Sequence, residues 1–136
     1  MDEALNLGFF IFHTTWIVFN GVGWIFPRVR RWHLATISLT AISWLGLGAW
    51  YGLGYCPFTD WHWRVRARLG YHDPNSYMQL LIAEVLRVDL TARWADALTG
   101  SLFAIVGGLS IILNLRDFQR IRRTLSEVRP ADSDSR

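Results

Sequence analysis

Cysteine occurs once, as Cys56, which excludes an intrachain disulfide framework and any metal site built from clustered cysteines. Lysine is absent, so all 14 basic residues are arginine, and a formal charge of only +3 gives no sign of nucleic-acid binding. Charge is missing over three long stretches. Ala4 to Phe26 is 23 residues in which only His13 could acquire a positive charge, Leu34 to Thr59 is 26 residues, and Ala97 to Leu115 is 19. About 20 apolar residues cross a hydrocarbon core of ~30 Å, so each stretch is long enough to span. A soluble domain would interrupt such runs with charge every turn or two. Asp2 and Glu3 stand where a secretory signal carries positive charge, and no small-residue cleavage pattern follows, so the first run is expected to stay in the mature protein. There is no internal repeat, no nucleotide-binding loop, no metal-ligand spacing and no carboxylate inside an apolar run.

These features predict an all-α integral membrane protein with three transmembrane helices and two short amphipathic helices in the loop between the second and third spans. Residues 1–123 are expected to form one membrane-embedded domain and 124–136 a polar, disordered cytoplasmic tail. Phe118, Ile121, Leu125 and Val128 nevertheless keep a helical spacing beyond Arg116. Orientation follows from arginines near the span ends. Arg28, Arg30 and Arg31 lie between the first two runs, and Arg116, Arg120, Arg122 and Arg123 follow the third. This places the amino terminus outside and the carboxyl terminus in the cytoplasm, with the spans among membrane lipids. Trp24 and Trp32 suit one interface and Trp61, Trp63 and Trp94 the other, while Trp16 and Trp44 are expected deep, each needing an acceptor for its indole N–H.

Pro57 should end the second run, because proline disfavours helical geometry at the residue before it. Thr59 can cap a helix over Asp60 to Leu69, with Thr59 and His62 in the two positions of a capping box and Gly70 as the stop. Trp61, Val65 and Leu69 form its expected apolar stripe, lying at the headgroup level, and Asp60 can pair with Arg64 four residues on. "SYMQ", residues 76–79, reads as a second capping box, opening a helix whose stripe is Met78, Leu81, Ile82, Val85 and Leu86.

His13, near the middle of the first span, is a candidate ligand because an ionisable group at that depth must be paired or line a cavity. A neutral imidazole bonded to a neighbouring helix is the plainer reading, with Trp16 and Asn20 facing the Thr40 and Ser43 region. A haem, chlorin or quinone is the functional one, although haem b normally takes two axial imidazoles and no second histidine lies within a span. Gly48 and Gly52 in the second span, and Gly100, Ala104 and Gly108 in the third, are spaced four apart, as close helix packing or docking on a partner requires. Thr59, Asp60, His62, Arg64, His72, Asn75, Ser76 and Tyr77 could surround a shallow ligand or lipid-headgroup site, with Arg66 and Arg68 adding positive charge. Helix punctuation accounts for much of the same pattern.

Trp50, Gly54, Cys56, Pro57, Phe58, Thr59, Asp60 and Trp61, followed by Pro74, Asn75, Ser76 and Tyr77, resemble the signature of small bacterial inner-membrane proteins grouped only as domain of unknown function 2784. The likeness covers roughly the first ninety residues. Gly54 stands one position off the family spacing, and His62 replaces a glutamate that would complete the capping box with Thr59. A shared catalytic carboxylate is therefore not implied. The resemblance implies a membrane location and a common architecture, with no activity, cofactor or substrate.

The leading expectation is a non-enzymatic accessory or scaffold subunit that docks on a larger membrane-protein complex or a second copy of itself, with no nucleic acid and no metal. Two alternatives stand beside it: an outer-face enzyme or headgroup-binding protein using the 59–77 region, and cofactor binding through His13.

Overall fold

The computed structural model describes residues 1–131, and among them every regular element is helical. Three helical segments are long and apolar enough to cross a membrane: Asp2–Ile25, Arg30–Tyr51 and Ala92–Ser126. The first is α1 (Asp2–Val22) with a 3₁₀ turn at Gly23–Ile25. The second comprises α2 (Arg30–Ala41), a π-helical stretch at Ile42–Leu47 and α3 (Gly48–Tyr51). Between the second and third lie α4 (Pro57–Arg68) and α5 (Tyr77–Leu86), and α6 (Ala92–Ala131) closes the described chain. At 1.5 Å per residue a helix of 40 residues is about 60 Å long, twice the hydrocarbon thickness. It runs on through Arg116, Asp117 and Arg120, which directly follow the apolar stretch. The tail expected at 124–136 is helical as far as Ala131, and residues 132–136 lie outside the described ones.

Spans one and two run antiparallel and are joined by the polar pairs their sequences offer. Trp16 Nε1 donates to Thr40 Oγ1 at 3.2 Å, the acceptor a deep indole needs. Thr36 Oγ1 donates to Asn20 Oδ1 at 2.8 Å, so Asn20 meets Thr36 where the sequence suggested Thr40 or Ser43. The Trp44 ring packs at a tilt against Phe103 of α6, with centroids 4.8 Å apart. His33 is fully buried and ties all three spans together: its Nε2 lies 2.9 Å from the Asn20 carbonyl, its Nδ1 2.9 Å from Ser110 Oγ. A carbonyl can only accept, so Nε2 carries the proton and Nδ1 receives the Ser110 hydroxyl. Gly23 must lack a side chain here, because a Cβ would sit 2.8 Å from the His33 ring. At the same end Arg30 pairs with Asp117 at 3.0 Å and also donates to the Trp24 carbonyl.

The glycines of the second span serve a reversal of the chain, not helix docking. Gly52 ends α3 with φ +104°, Gly54 has φ +85°, and a Cβ on Gly48 would come 3.3 Å from the Leu53 backbone. The chain therefore folds back against its own helix, bringing the Tyr55 carbonyl within 2.9 Å of Ser43 Oγ and Tyr51 onto Tyr55 at 4.6 Å.

Pro57 occupies the first turn of α4, where its missing N–H costs nothing, and Cys56 precedes it in extended geometry. The helix thus begins before Thr59. Thr59 lies within the first turn, and the expected Thr59–His62 capping box does not form. From there α4 runs antiparallel to the first half of α1: Phe58 meets Phe12 at 5.0 Å, His62 meets Phe9 at 5.7 Å, and Arg68 pairs with Asp2 at 2.8 Å. It does not lie flat at the headgroups. Its buried residues are His62, Val65 and Arg66, whereas Trp61, expected on one apolar stripe with Val65, is half exposed. Gly70, with φ +82°, follows the helix end as anticipated. Ser76 caps α5 by accepting from the Gln79 N–H at 3.3 Å, but the Gln79 side chain donates to the Leu90 carbonyl instead of reaching back. The buried face of α5 is Tyr77, Leu80 and Ile82, leaving Val85 and Leu86 exposed.

Candidate functional site

Where α1, α4 and the start of α5 meet, two histidines converge on one tyrosine. His13 stacks on the Tyr77 ring with centroids 3.9 Å apart, and His62 lies 5.9 Å from the same ring. Trp63 stacks on Tyr77 at 5.9 Å, and Phe9 and Phe10 complete an aromatic surround. The phenol donates to the Phe10 carbonyl at 3.2 Å and lies 3.3 Å from Thr14 Oγ1, which fixes the start of α5 against the middle of α1. Burial raises the Tyr77 pKa, so the phenol stays protonated.

The polar groups of this seam are unequally satisfied. Arg66 and Asp73, with side chains 10% and 11% exposed, form a buried ion pair, and the guanidinium also lies over Tyr71 at 4.5 Å. His62 Nε2 donates to Asn6 Oδ1 at 2.8 Å, which leaves the lone pair of the neutral ring on Nδ1. That Nδ1 is buried without a hydrogen-bond partner, and so is Nδ1 of His13. The two residues are 0% and 8% exposed. His33 makes the contrast within the same molecule, since both of its ring nitrogens are matched.

Burial lowers the His62 pKa below 6.5, and the neighbouring Arg66 guanidinium adds to the effect. The unfolded chain therefore binds the proton more tightly than the folded one. His62's share of stability is complete above about pH 6.5 and is lost as pH falls towards the lower folded value. The protection of α4 amides, taken relative to the intrinsic exchange rate at each pH, should fall between pH 7.5 and 5 in wild type, and much less in His62→Gln, which keeps a donor for Asn6.

Of the eight residues proposed for a shallow polar site, only His62 and Tyr77 meet in the interior. Asp60 and Arg64 pair with each other at 3.0 Å on the exposed side of α4. His72 and Asn75 are exposed on the connecting loop, Ser76 is a cap, and Thr59 is half-buried in the first turn of α4. Arg66 and Arg68 are paired with Asp73 and Asp2, so no free arginine triad awaits an anionic headgroup. His13, placed by sequence in a separate cofactor site, belongs with His62. A haem or chlorin does not fit there: Tyr77 covers the imidazole, α4 and α5 close over it, and a macrocycle could enter only by moving them. Sequence reasoning missed Asn6, Trp63 and the Arg66–Asp73 pair. The spacing of Asn6, Phe9 and His13 along one face of α1 was the available signal.

A family model described as "Protein of Unknown function (DUF2784)" matches residues 3–115. The chain belongs to this family. No curated protein and no solved structure matches it. The matched segment of this DUF2784 protein contains all three apolar stretches and every residue of the histidine seam.

Proposed function

We propose that this DUF2784 protein is a small inner-membrane protein that holds a small ligand in the seam between α1, α4 and α5, with the amino terminus outside and the arginine-rich end in the cytoplasm. One observation supports the reading above all: two nearly inaccessible histidines, against one tyrosine, each keep a ring nitrogen without a partner. Buried polar groups in proteins are almost always satisfied, and ionisable groups at membrane depth are costly to keep. A seam built only for packing would resemble the His33 junction. The arginines flanking the opposite end support the orientation.

A second reading, an accessory subunit docked on a larger complex, draws on the third span. A Cβ built on Gly100 or Gly108 meets nothing within 4 Å, so these residues and the exposed Ala104 leave a shallow open track on α6, while Gly107 is the glycine that faces Ile37. Native mass spectrometry of protein extracted gently from membranes separates the two. An added small mass lost in both His13→Asn and His62→Gln supports the ligand reading. A co-purifying polypeptide lost in Gly100→Leu, with no such small mass, supports docking instead and overturns it.

A further inference from the structure

We infer that the arginine-bearing face of α6 binds an anionic phospholipid of the surrounding bilayer, whose phosphate rests against Arg116, Arg120 and Arg123 and whose acyl chains lie along the exposed apolar track beneath them. The site is at the opposite end of the bundle from the histidine seam and does not depend on it.

Helical spacing puts the parts of this site in one line. Residues seven apart fall within about 20° of each other on an α-helix, so Leu98, Ile105, Ile112 and Gln119 stand one above another. The first three are exposed, an uncovered apolar track along about 21 Å of helix. Directly above it, Arg116, Gln119, Arg120 and Arg123 line one open concavity of about 240 Å³. The one acid between Ala97 and Ser126 is Asp117, and its carboxylate is held by Arg30 of α2 at 3.0 Å. The concavity is therefore lined by three cations and an amide, with no carboxylate.

Depth selects a lipid. The headgroup layer is about 5–7 Å thick on each side of the hydrocarbon. The charge-free run of α6 ends at Leu115, so Arg116 stands at the hydrocarbon boundary, with Arg120 about 6 Å and Arg123 about 10 Å farther along the helix. The exposed Trp32, two residues from the Arg30 that pairs with Asp117, marks the same level as an interfacial aromatic. A phosphate diester in this layer meets guanidiniums whose paired N–H donors match its oxygens. Arginines clustered directly after a span are the pattern that attracts anionic lipid. A soluble phosphate would use only the upper part of the site.

The test is native mass spectrometry of the full chain in mild detergent, titrated with palmitoyl-oleoyl phosphatidylglycerol and, in parallel, with the zwitterionic phosphatidylcholine of the same chains. Wild type should hold phosphatidylglycerol at least about 10-fold more tightly, with the preference shrinking as salt rises. Arg116→Gln and Arg120→Gln should each weaken that binding by about 2- to 5-fold, and the triple variant with Arg123→Gln should erase the preference. Arg122→Gln removes the same charge from another side of the helix, where the guanidinium lies 5.1 Å over Phe118, and should keep it. Glycerol phosphate in excess should not displace the lipid. No preference in the wild type, a triple variant that retains it, or an Arg122→Gln loss as large as that of Arg116→Gln would each overturn the site. Displacement by glycerol phosphate would overturn it in favour of a soluble ligand. Should the triple variant not fold, the graded single variants and the Arg122→Gln control still decide the matter. His13→Asn and His62→Gln should hold phosphatidylglycerol as wild type does, which separates this site from the seam, and loss of the lipid in them would overturn its placement on α6.

Discussion

Arg66→Ala should destabilise the protein by about 3–5 kcal/mol, the loss typical when one partner of a buried ion pair is removed and the other is stranded. The Asp73 carboxylate is only 11% exposed and would keep its desolvation penalty without its counter-charge. The cation–π contact with Tyr71 would go as well. Because Asp73 sits on the loop that returns from the end of α4 to Tyr77, the damage should centre on that loop and the seam beneath it. Unfolding in mixed detergent, followed by tryptophan fluorescence, measures the change. The double variant Arg66→Met, Asp73→Leu should recover most of the loss, since apolar residues of similar volume replace a buried pair at little cost. A double variant no more stable than the single would show that the pair is not the source.

His33→Ala should cost about 2–5 kcal/mol, combining the cavity left by a fully buried ring with the loss of its hydrogen bonds to Ser110 and the Asn20 carbonyl. The ring is the polar junction of α1, α2 and α6, so the whole bundle should weaken together instead of one helix loosening. His33→Leu should cost less than His33→Ala, because it refills part of the volume while leaving the two partners unmatched. Thermal unfolding in detergent gives the ranking. His62→Gln should be milder than His33→Ala, because it keeps a donor for Asn6 and most of the side-chain volume, and loses the ring stacking on Phe9 and Trp63 together with a nitrogen that has no partner. The comparison sets a histidine with both ring nitrogens matched against one with an unpartnered nitrogen.

The sequence was most legible where physics acts locally. Three stretches without charge predicted three spans, because transfer into hydrocarbon depends on composition and length. Ser76 capped a helix and Gly70 followed the end of one, because these residues act within a turn of themselves. The same local logic misled at Pro57. Proline ends the preceding helix, yet it also suits the first turn of the next, and the second effect placed the start of α4 before Thr59.

Which face of α4 turns inward was not legible, because ranking its faces by hydrophobicity favours Trp61, Val65 and Leu69. The partner is the polar and aromatic face of α1, carrying Asn6, Phe9 and His13, and against it the preferred face is His62, Val65 and Arg66. The depth of that face was likewise hidden. It depends on the reversal at Gly52 and Gly54, where positive φ values turn the chain back along its own helix.

The sequence by itself determined that this chain is helical, membrane-spanning and divided into three spans and two short helices, since charge spacing and turn chemistry suffice for each. Only the tertiary structure decided that His13 and His62 share one tyrosine, that Arg66 is buried against Asp73, and that Gly48 and Gly52 serve a turn. Each of those outcomes depends on contacts between residues far apart in the chain, whose energy exists only once the backbone has brought them together.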